Sequence, residues 1–467
     1  MNHKRNNKHF HCIGIGGIGL SAIAEILLAK GYNVSGSDIK DSEITQNLKK
    51  HGATIYIGHD PSNISGCDTI IYTAAVSEDN PELTAARKAN IPTFSRAEML
   101  GHIMRDYSHN IAVSGTHGKT TTTSMISLIL EESLLDPTIL VGGKLNHIGG
   151  NVKIGNSPFL ITEACEYMDS FLKLNPKNEV ILNIDSDHLD YFKDIDHIVK
   201  SFQKFADLVP YNGFIVAYSA NAFVKSIISN VSCKTVTFGF DDSCDYYANH
   251  IKFNSEGMPG FDVFCSGTAL CHIQLSIPGE HNINNSLASI ACCHTLGVSI
   301  EVIAKTLNSF KGTKRRFDII GITQENIKIV DDYAHHPEEI KATLNACKNV
   351  PHNKLWCVFQ PHTYTRTKAL FKEFSEAFDL ADGVIITDIY AAREKNIYQI
   401  DASHLVQEIK ENNLGKKDVY YISDFEDIAD FIINKTGSKD LVITMGAGDV
   451  YKVAERIMEK TNKEMKE

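Results

Sequence analysis

The stretch Ser114-Gly115-Thr116-His117-Gly118-Lys119-Thr120-Thr121 lies between an apolar run, "IAVSG", and a segment that reads as the start of a helix. In such a turn backbone N–H groups hold phosphate oxygens, the lysine offsets charge on the β- and γ-phosphates, and the threonine hydroxyl reaches Mg²⁺. Val113 stands where a full Walker motif has its first glycine, so only the G-K-T half is intact, in a shorter loop. The expected ligand is ATP, with Gly115, Thr116, His117, Gly118, Lys119, Thr120 and Thr121 around its phosphates.

A second glycine loop precedes it. Gly14, Gly16 and Gly19 form G-x-G-x-x-G, with Gly17 inside, between the strand-like "HFHCIGI" and an amphipathic segment. Asp38 ends the next strand-like run, "NVSGSD". The glycines permit a tight turn, a helix N-terminus accepts a pyrophosphate, and an acid about twenty residues on binds a ribose hydroxyl. NAD and UDP share that pyrophosphate–ribose unit, so the loop alone leaves the nucleotide open. With a separate ATP loop in the chain, activation of a nucleotide-linked substrate fits better than hydride transfer. An NAD-dependent oxidoreductase and a nucleotide-gated binding protein are the rivals from other classes.

Acidic residues collect where apolar runs end: Glu163 and Glu166 after "PFLIT", and Asp185, Asp187 and His188 after "EVILNI". Mg²⁺ on a triphosphate needs only one or two protein ligands, and Glu166 with His188 are the candidates. Further on, "DDYAHHP" holds Asp332, His335 and His336, and "QPHTYTRT" holds Arg366. These side chains suit a ribose, a phosphate or a carboxylate, and Arg366 suits bidentate contact with a carboxylate.

Positioning these groups requires alternating strands and helices. The apolar periodicity predicts such units from residue 1 to 109, again from 110 to 312, and again from 313 to 467. Residues 235–277 read as short strands, and "FKGTKRRFD" (Phe310 to Asp318) as a basic linker. In the last block three strand–loop–helix units stand out: "IKIVDDYAHHPEEIKATLNAC", "LWCVFQPHTYTRTKALFKEF" and "LVITMGAGDVYKVAERIME". Ligands are expected where the strands end. A chain of 467 residues agrees with three domains of about 150 residues each.

Composition narrows the class. Hydrophobic residues make up 43% and charged residues 22%, and the formal net charge of -11 argues against nucleic-acid and anionic-membrane partners. The basic start with its Ala-x-Ala triplet imitates a leader peptide, but the glycines from Gly14 to Gly19 make a poor apolar helix. No run of 18 apolar residues occurs. The eleven scattered cysteines form no C-x-x-C pair, which suits a reducing cytosol, so a cytoplasmic protein is expected.

Taken together, "GIGGIGLS", "SGTHGKTTTT", "EACEYMDSFL", "NIDSDHLDYF", "PGEHNINN", "GTKRRFD", "DDYAHHP", "FQPHTYTRT" and "MGAGD" resemble, in order and over nearly the whole chain, the Mur ligase family. The resemblance implies an α/β chain of three domains: a Rossmann-like N-terminal domain for a UDP-sugar, a central P-loop-type ATPase domain and a C-terminal Rossmann-like domain. It assigns Gly14, Gly16, Gly17, Gly19 and Asp38 to the UDP-sugar, and His335 and Arg366 to substrate. ATP falls to the Lys119 loop with His281, Asn285, Arg316 and Asp332. Thr120, Glu166 and His188 match the magnesium positions, and Lys119 and His188 the catalytic ones. The activity implied is ATP-dependent joining of L-alanine to the carboxylate of UDP-N-acetylmuramate through an acyl phosphate. A sister ligase adding another amino acid or a peptide is the nearer rival, and a monomer or homodimer is expected. Two positions depart from the family. Cys165 replaces an acid, and Thr363 replaces the first arginine of "PHRYTR", so Arg366 lacks an arginine partner there.

Overall fold

The computed structural model describes residues 6–145, 147–392, 394–413 and 417–463. They form three α/β layers, each on its own sheet.

The first sheet has five parallel strands in the order Thr54–Ile57, Tyr32–Asp38, Asn6–Ile13, Thr69–Tyr72 and Thr93–Ser95. The order reverses at the central strand Asn6–Ile13, and a crevice opens at the strand ends of such a switch point. The Gly14 loop leaves the sheet there and enters the helix Ile18–Ala29. Gly14 has φ +82, and a Cβ on it would lie 2.7 Å from Thr73 Cγ2 beside the neighbouring strand, so the turn admits no side chain.

The second sheet has ten strands. Six parallel ones form its middle, in the order Lys234–Gly239, Phe214–Tyr218, Asn178–Ile181, His109–Ser114, Phe159–Glu163 and Thr138–Leu145. Their inner strands are buried on both faces and accordingly read as continuous apolar runs. Of the short strands expected between 235 and 277, Lys234–Gly239 joins this middle. Tyr246–Phe253 extends its edge in parallel, Pro259–Cys265 and Thr268–Gln274 follow antiparallel, and Gly150–Lys153 forms the opposite edge. The helices Lys119–Glu132 and Glu280–Thr295 pack against each other although both are rich in Thr, Ser and Asn. Their hydroxyls return to their own backbones, Ser124 Oγ to Thr120 O at 2.6 Å and Ser289 Oγ to Asn285 O at 2.8 Å. Small, internally satisfied side chains let the two helices approach closely.

The third sheet has six strands, in the order Asp318–Ile322, Lys328–Asp332, Leu441–Met445, Leu355–Phe359, Gly383–Ile386 and Asp418–Tyr421. All pair in parallel except the first. It thus contains the three units legible in the sequence, the antiparallel edge strand Asp318–Ile322, and two four-residue strands, which are too short to show a period. All eleven cysteines are free thiols. Among the described residues no helix is long and apolar enough to cross a membrane.

Candidate active site

The phosphate-type loop is built by two neighbouring strand ends. His109–Ser114 delivers Gly115, whose φ of +132 and close approach to Leu182 and Asn183 leave no room for a Cβ. From Asn178–Ile181 the chain continues into Asn183, which clamps the His117 peptide on both sides. Its Oδ1 accepts from His117 N at 2.8 Å, and its Nδ2 donates to His117 O at 3.0 Å. Thr116 Oγ1 accepts from Asp185 N at 2.9 Å. The "NID" run therefore shapes the loop, a role its composition did not reveal.

Lys119 opens the helix, and its ammonium turns back over the loop. It donates to Gly115 O and Thr116 O and to both oxygens of Glu166, at 3.1 and 2.9 Å. Burial works against its charge, but the carboxylate of Glu166 outweighs that and holds the lysine above its ordinary pKa. Glu166 also lies 3.9 Å from His188 Nε2. Burial lowers the His188 pKa, leaving a neutral ring with a lone pair to offer. Met168, Asp169 and His188 all adopt φ near +54. Strained backbone of this kind persists only where surrounding contacts fix it, commonly at functional sites.

Two cavities flank this group. The first, ≈ 240 Å³, is lined by Gly118, Thr121, His281, Asn285, Arg316 and Asp332, so the two ends of the ATP assignment made from sequence meet in one space. Glu339 also lines it. Three buried polar atoms belonging to lining residues, His117 Nε2, Asn284 Oδ1 and Thr313 Oγ1, have no hydrogen-bond partner. Such orphans are costly unless something polar completes them. The protein packed around the cleft, with help from Arg316, pushes His281 down to about 4. Burial raises Asp332 to about 6, although it accepts from Phe317 N at 2.8 Å and Ala334 N at 2.7 Å.

The second cavity, ≈ 340 Å³, is lined by Tyr167, Asp187, His188, His362, Thr363 and Arg366 among others. Arg366 comes from the third sheet and pairs with Asp187 of the central one, its Nη2 3.1 Å from Oδ1. Burial opposes this carboxylate, but Arg366 and the neighbouring histidines hold it well below the usual range. Arg366 Nη1 also lies 3.2 Å from His362 Nδ1. Thr363, at the arginine position, has φ +66, unusual for a β-branched residue, and caps the short helix that carries Arg366. His335 lines neither cavity as described; its Nδ1 faces Glu339 at 3.1 Å and Tyr333 O at 3.0 Å.

The first glycine loop stands apart from these cavities. Asp38 Oδ2 accepts from Gly16 N at 2.9 Å, so this acid braces the turn. A Cβ on Gly19 would lie 2.9 Å from Cδ of Arg96, whose side chain crosses the start of the helix. The Arg96 charge also bears on Cys165, beside Glu166, so this arginine lies between the first loop and the Lys119 cluster. Sequence reading missed Arg96; the Ser95–Glu98 capping box marks only a helix start.

A switch-point glycine loop, a separate lysine-bearing phosphate loop and an arginine-lined pocket from a third sheet describe a ligase that activates a nucleotide-linked acid. Three family models match in order: Mur ligase family, catalytic domain, over 9–108; Mur ligase middle domain over 113–293; and Mur ligase, glutamate ligase domain, over 315–448. The chain belongs to the Mur ligase family. It is 53% identical over 451 residues to the UDP-N-acetylmuramate–L-alanine ligase of Alkaliphilus metalliredigens, covering 97% of each chain. It is 54% identical over 452 residues to the protein of that name from Acetivibrio thermocellus, covering 97% of this chain and 96% of the relative. The crystal structure of the UDP-N-acetylmuramate-alanine ligase of Thermotoga maritima superposes with a TM-score of 0.80 at 30% identity, over 98% of this chain and 99% of that one.

Proposed function

We propose that this chain is an ATP-dependent, ADP-forming ligase that joins L-alanine to the carboxylate of UDP-N-acetylmuramate, a step of peptidoglycan synthesis. The observation that carries the reading is the Lys119–Glu166–His188 group, which links the loop bordering one cavity to the wall of another. The near full-length likeness to ligases of that name supports the choice of substrates.

The roles divide along the chain. Residues 1–109 hold the UDP-sugar at Gly14, Gly16, Gly17, Gly19 and Asp38, with Arg96 offsetting diphosphate charge. Residues 110–312 hold ATP, whose base lies toward His281 and Asn285. Residues 313–467 close the nucleotide cavity with Arg316 and Asp332 and bring Arg366 to the amino acid. Free cysteines throughout suit a cytoplasmic location.

The chemistry follows from the charges. A carboxylate is a poor electrophile, so the sugar carboxylate first attacks the γ-phosphorus of ATP; the bond to ADP breaks and an acyl phosphate forms. Lys119 leaves Glu166 to meet the phosphoryl oxygens, where charge develops in the transition state. The amine of L-alanine then attacks the acyl carbon, phosphate departs, and an amide remains. Arg366 holds the amino-acid carboxylate in exchange for Asp187. Among the described residues no three His, Cys, Asp or Glu side chains are arranged to hold a metal alone, so Mg²⁺ would come to this site together with the nucleotide's phosphates. Thr120, Glu166 and His188 would hold the ion, and it would neutralise phosphate charge.

Phosphate release with ATP, Mg²⁺ and UDP-N-acetylmuramate, each amino acid supplied in turn, tests the reading. It should depend on the UDP-sugar and be greatest with L-alanine. Preference for another amino acid or a peptide would assign a sister ligase, and reduction of NAD with no phosphate released would overturn the class.

A further inference from the structure

His117 is held from two sides by two sheets. Its peptide is clamped by Asn183. Its ring is gripped by Glu339, which lies in the first turn of Pro337–Asn349 in the third domain, with Oε1 3.1 Å from His117 Nδ1. The second carboxylate oxygen accepts from His335 N at 3.0 Å and His336 N at 3.3 Å, so the group cannot rotate freely. Because a carboxylate only accepts, His117 Nδ1 must carry a proton. The opposite nitrogen, Nε2, is buried without a hydrogen-bond partner on a residue that lines the nucleotide cavity.

We propose that Glu339 is a positioning residue that holds His117 as the doubly protonated ring, whose Nε2–H grips the phosphates of the nucleotide. The phosphate loop is then complete only when the third domain is seated on it. This rests on the reading of the cavity as an ATP site.

The surroundings favour that protonation state. Asp185 Oδ2 lies 3.9 Å from Nε2, Asp187 adds negative charge, and the ring of His336 stands 5.1 Å away at its centroid. Burial of His117 works against its charge, but Glu339 first and then these acids raise its pKa above the ordinary histidine value. Burial opposes the Glu339 carboxylate in turn, and His335 and His117 hold it well below its ordinary range. Arg316, 3.9 Å from the same oxygen, comes from the linker that leads into the third domain and also lines the cavity. Lys119 rests on Glu166 until the phosphoryl group transfers, so His117 gives the loop a second side-chain cation on a residue that lines the cavity.

A role confined to capping the helix predicts a different outcome, and a double-mutant cycle separates the two. Glu339→Gln keeps the cap but removes the charge that favours the imidazolium. His117→Gln places an amide N–H near the position of Nε2 without needing Glu339. Calorimetry with ATP, and with adenosine as a probe lacking phosphates, should show Glu339→Gln weakening ATP by about tenfold with adenosine unchanged. In the His117→Gln background the same change should cost under about twofold. An equal loss in both backgrounds, an equal loss for adenosine, or no loss at all would overturn the proposal. Tight phosphate-dependent ATP binding by the wild type would leave the functional reading standing in each case. A wild type that binds no ATP would sink both.

Discussion

The Gly14 and Gly115 loops share one frame, a buried parallel strand turning through glycines into a helix, and differ in where the positive charge is kept. The first loop carries none of its own. Asp38 braces the Gly16 amide, and the cation, Arg96, arrives from a separate helix across Gly19. The second loop has Lys119 inside it, stored on Glu166, with His117 held by Glu339 from another domain. The difference follows from what each ligand undergoes. The diphosphate of the UDP-sugar takes no part in the bond making, so helix amides and one arginine suffice. A γ-phosphoryl group gains charge as it transfers, so its loop needs cations that can be redeployed at that moment.

Removing the stored cation should show the contrast most sharply. Lys119→Ala should reduce phosphate release on the order of 10²-fold or more, while the UDP-sugar binds as before. It also leaves Glu166, which is 3% exposed, without its lysine, so a melting curve must accompany the rate. Turnover near the wild-type level would mean the second loop does not handle the reacting phosphate.

The acid on which the lysine rests should give a smaller, more specific effect. Glu166→Gln and His188→Ala should each raise the Mg²⁺ concentration giving half-maximal rate, by roughly tenfold if each supplies one of the ion's few protein contacts. Unchanged Mg²⁺ dependence with a lowered melting temperature would make them structural.

Each loop has a buried acid beneath it, and the two shift in opposite directions: against its burial, His11, Ser37 and Asn63 hold Glu82, below the first loop, down to about 2. Glu179, below the second, is fully buried, accepts from Ser114 Oγ at 2.7 Å, and is pushed by burial up to about 8 from 4.5. Between those values the folded chain keeps a proton that the unfolded chain has lost. Its stability is therefore full below 4.5, falls as pH rises toward about 8, and levels off above. Glu179→Gln should remove that slope, raising the melting temperature relative to wild type by a few degrees at pH 8 and by less at pH 5. A constant difference across pH would show that Glu179 is ionised in the fold.

Much of this was legible in the sequence because glycine spacing, apolar runs and strand-end acids are local signals. Gly14–Gly19, Lys119, Glu166 and His188 stand at such punctuation; Gly14 directly follows a strand, Lys119 opens a helix, and Glu166 and His188 lie in the loops beyond Glu163 and Ile181. Glu339, Asn183 and Arg96 were not legible. Glu339 reads as half of a helix cap, Asn183 as one polar residue after a strand, and Arg96 as the first residue of a helix. Each acts on a loop far away in the chain, and only the tertiary contact reveals it. The short strands Gly383–Ile386 and Asp418–Tyr421 escaped because a run of four residues fits a strand or a helical turn equally well.

The most direct test is a crossed titration of Gly16→Val and Lys119→Ala against ATP, UDP-N-acetylmuramate and NAD. A Cβ on Gly16 would lie 2.9 Å from the Asp38 carboxylate and 3.2 Å from Thr45 Cγ2, so valine must displace the carboxylate that braces the turn. If the two loops serve two nucleotides, Gly16→Val loses the UDP-sugar by at least about tenfold and keeps ATP. Lys119→Ala does the reverse, and NAD binds neither variant nor the wild type. Loss of ATP with retention of the UDP-sugar in Gly16→Val, or tight NAD binding by the wild type, would contradict the account.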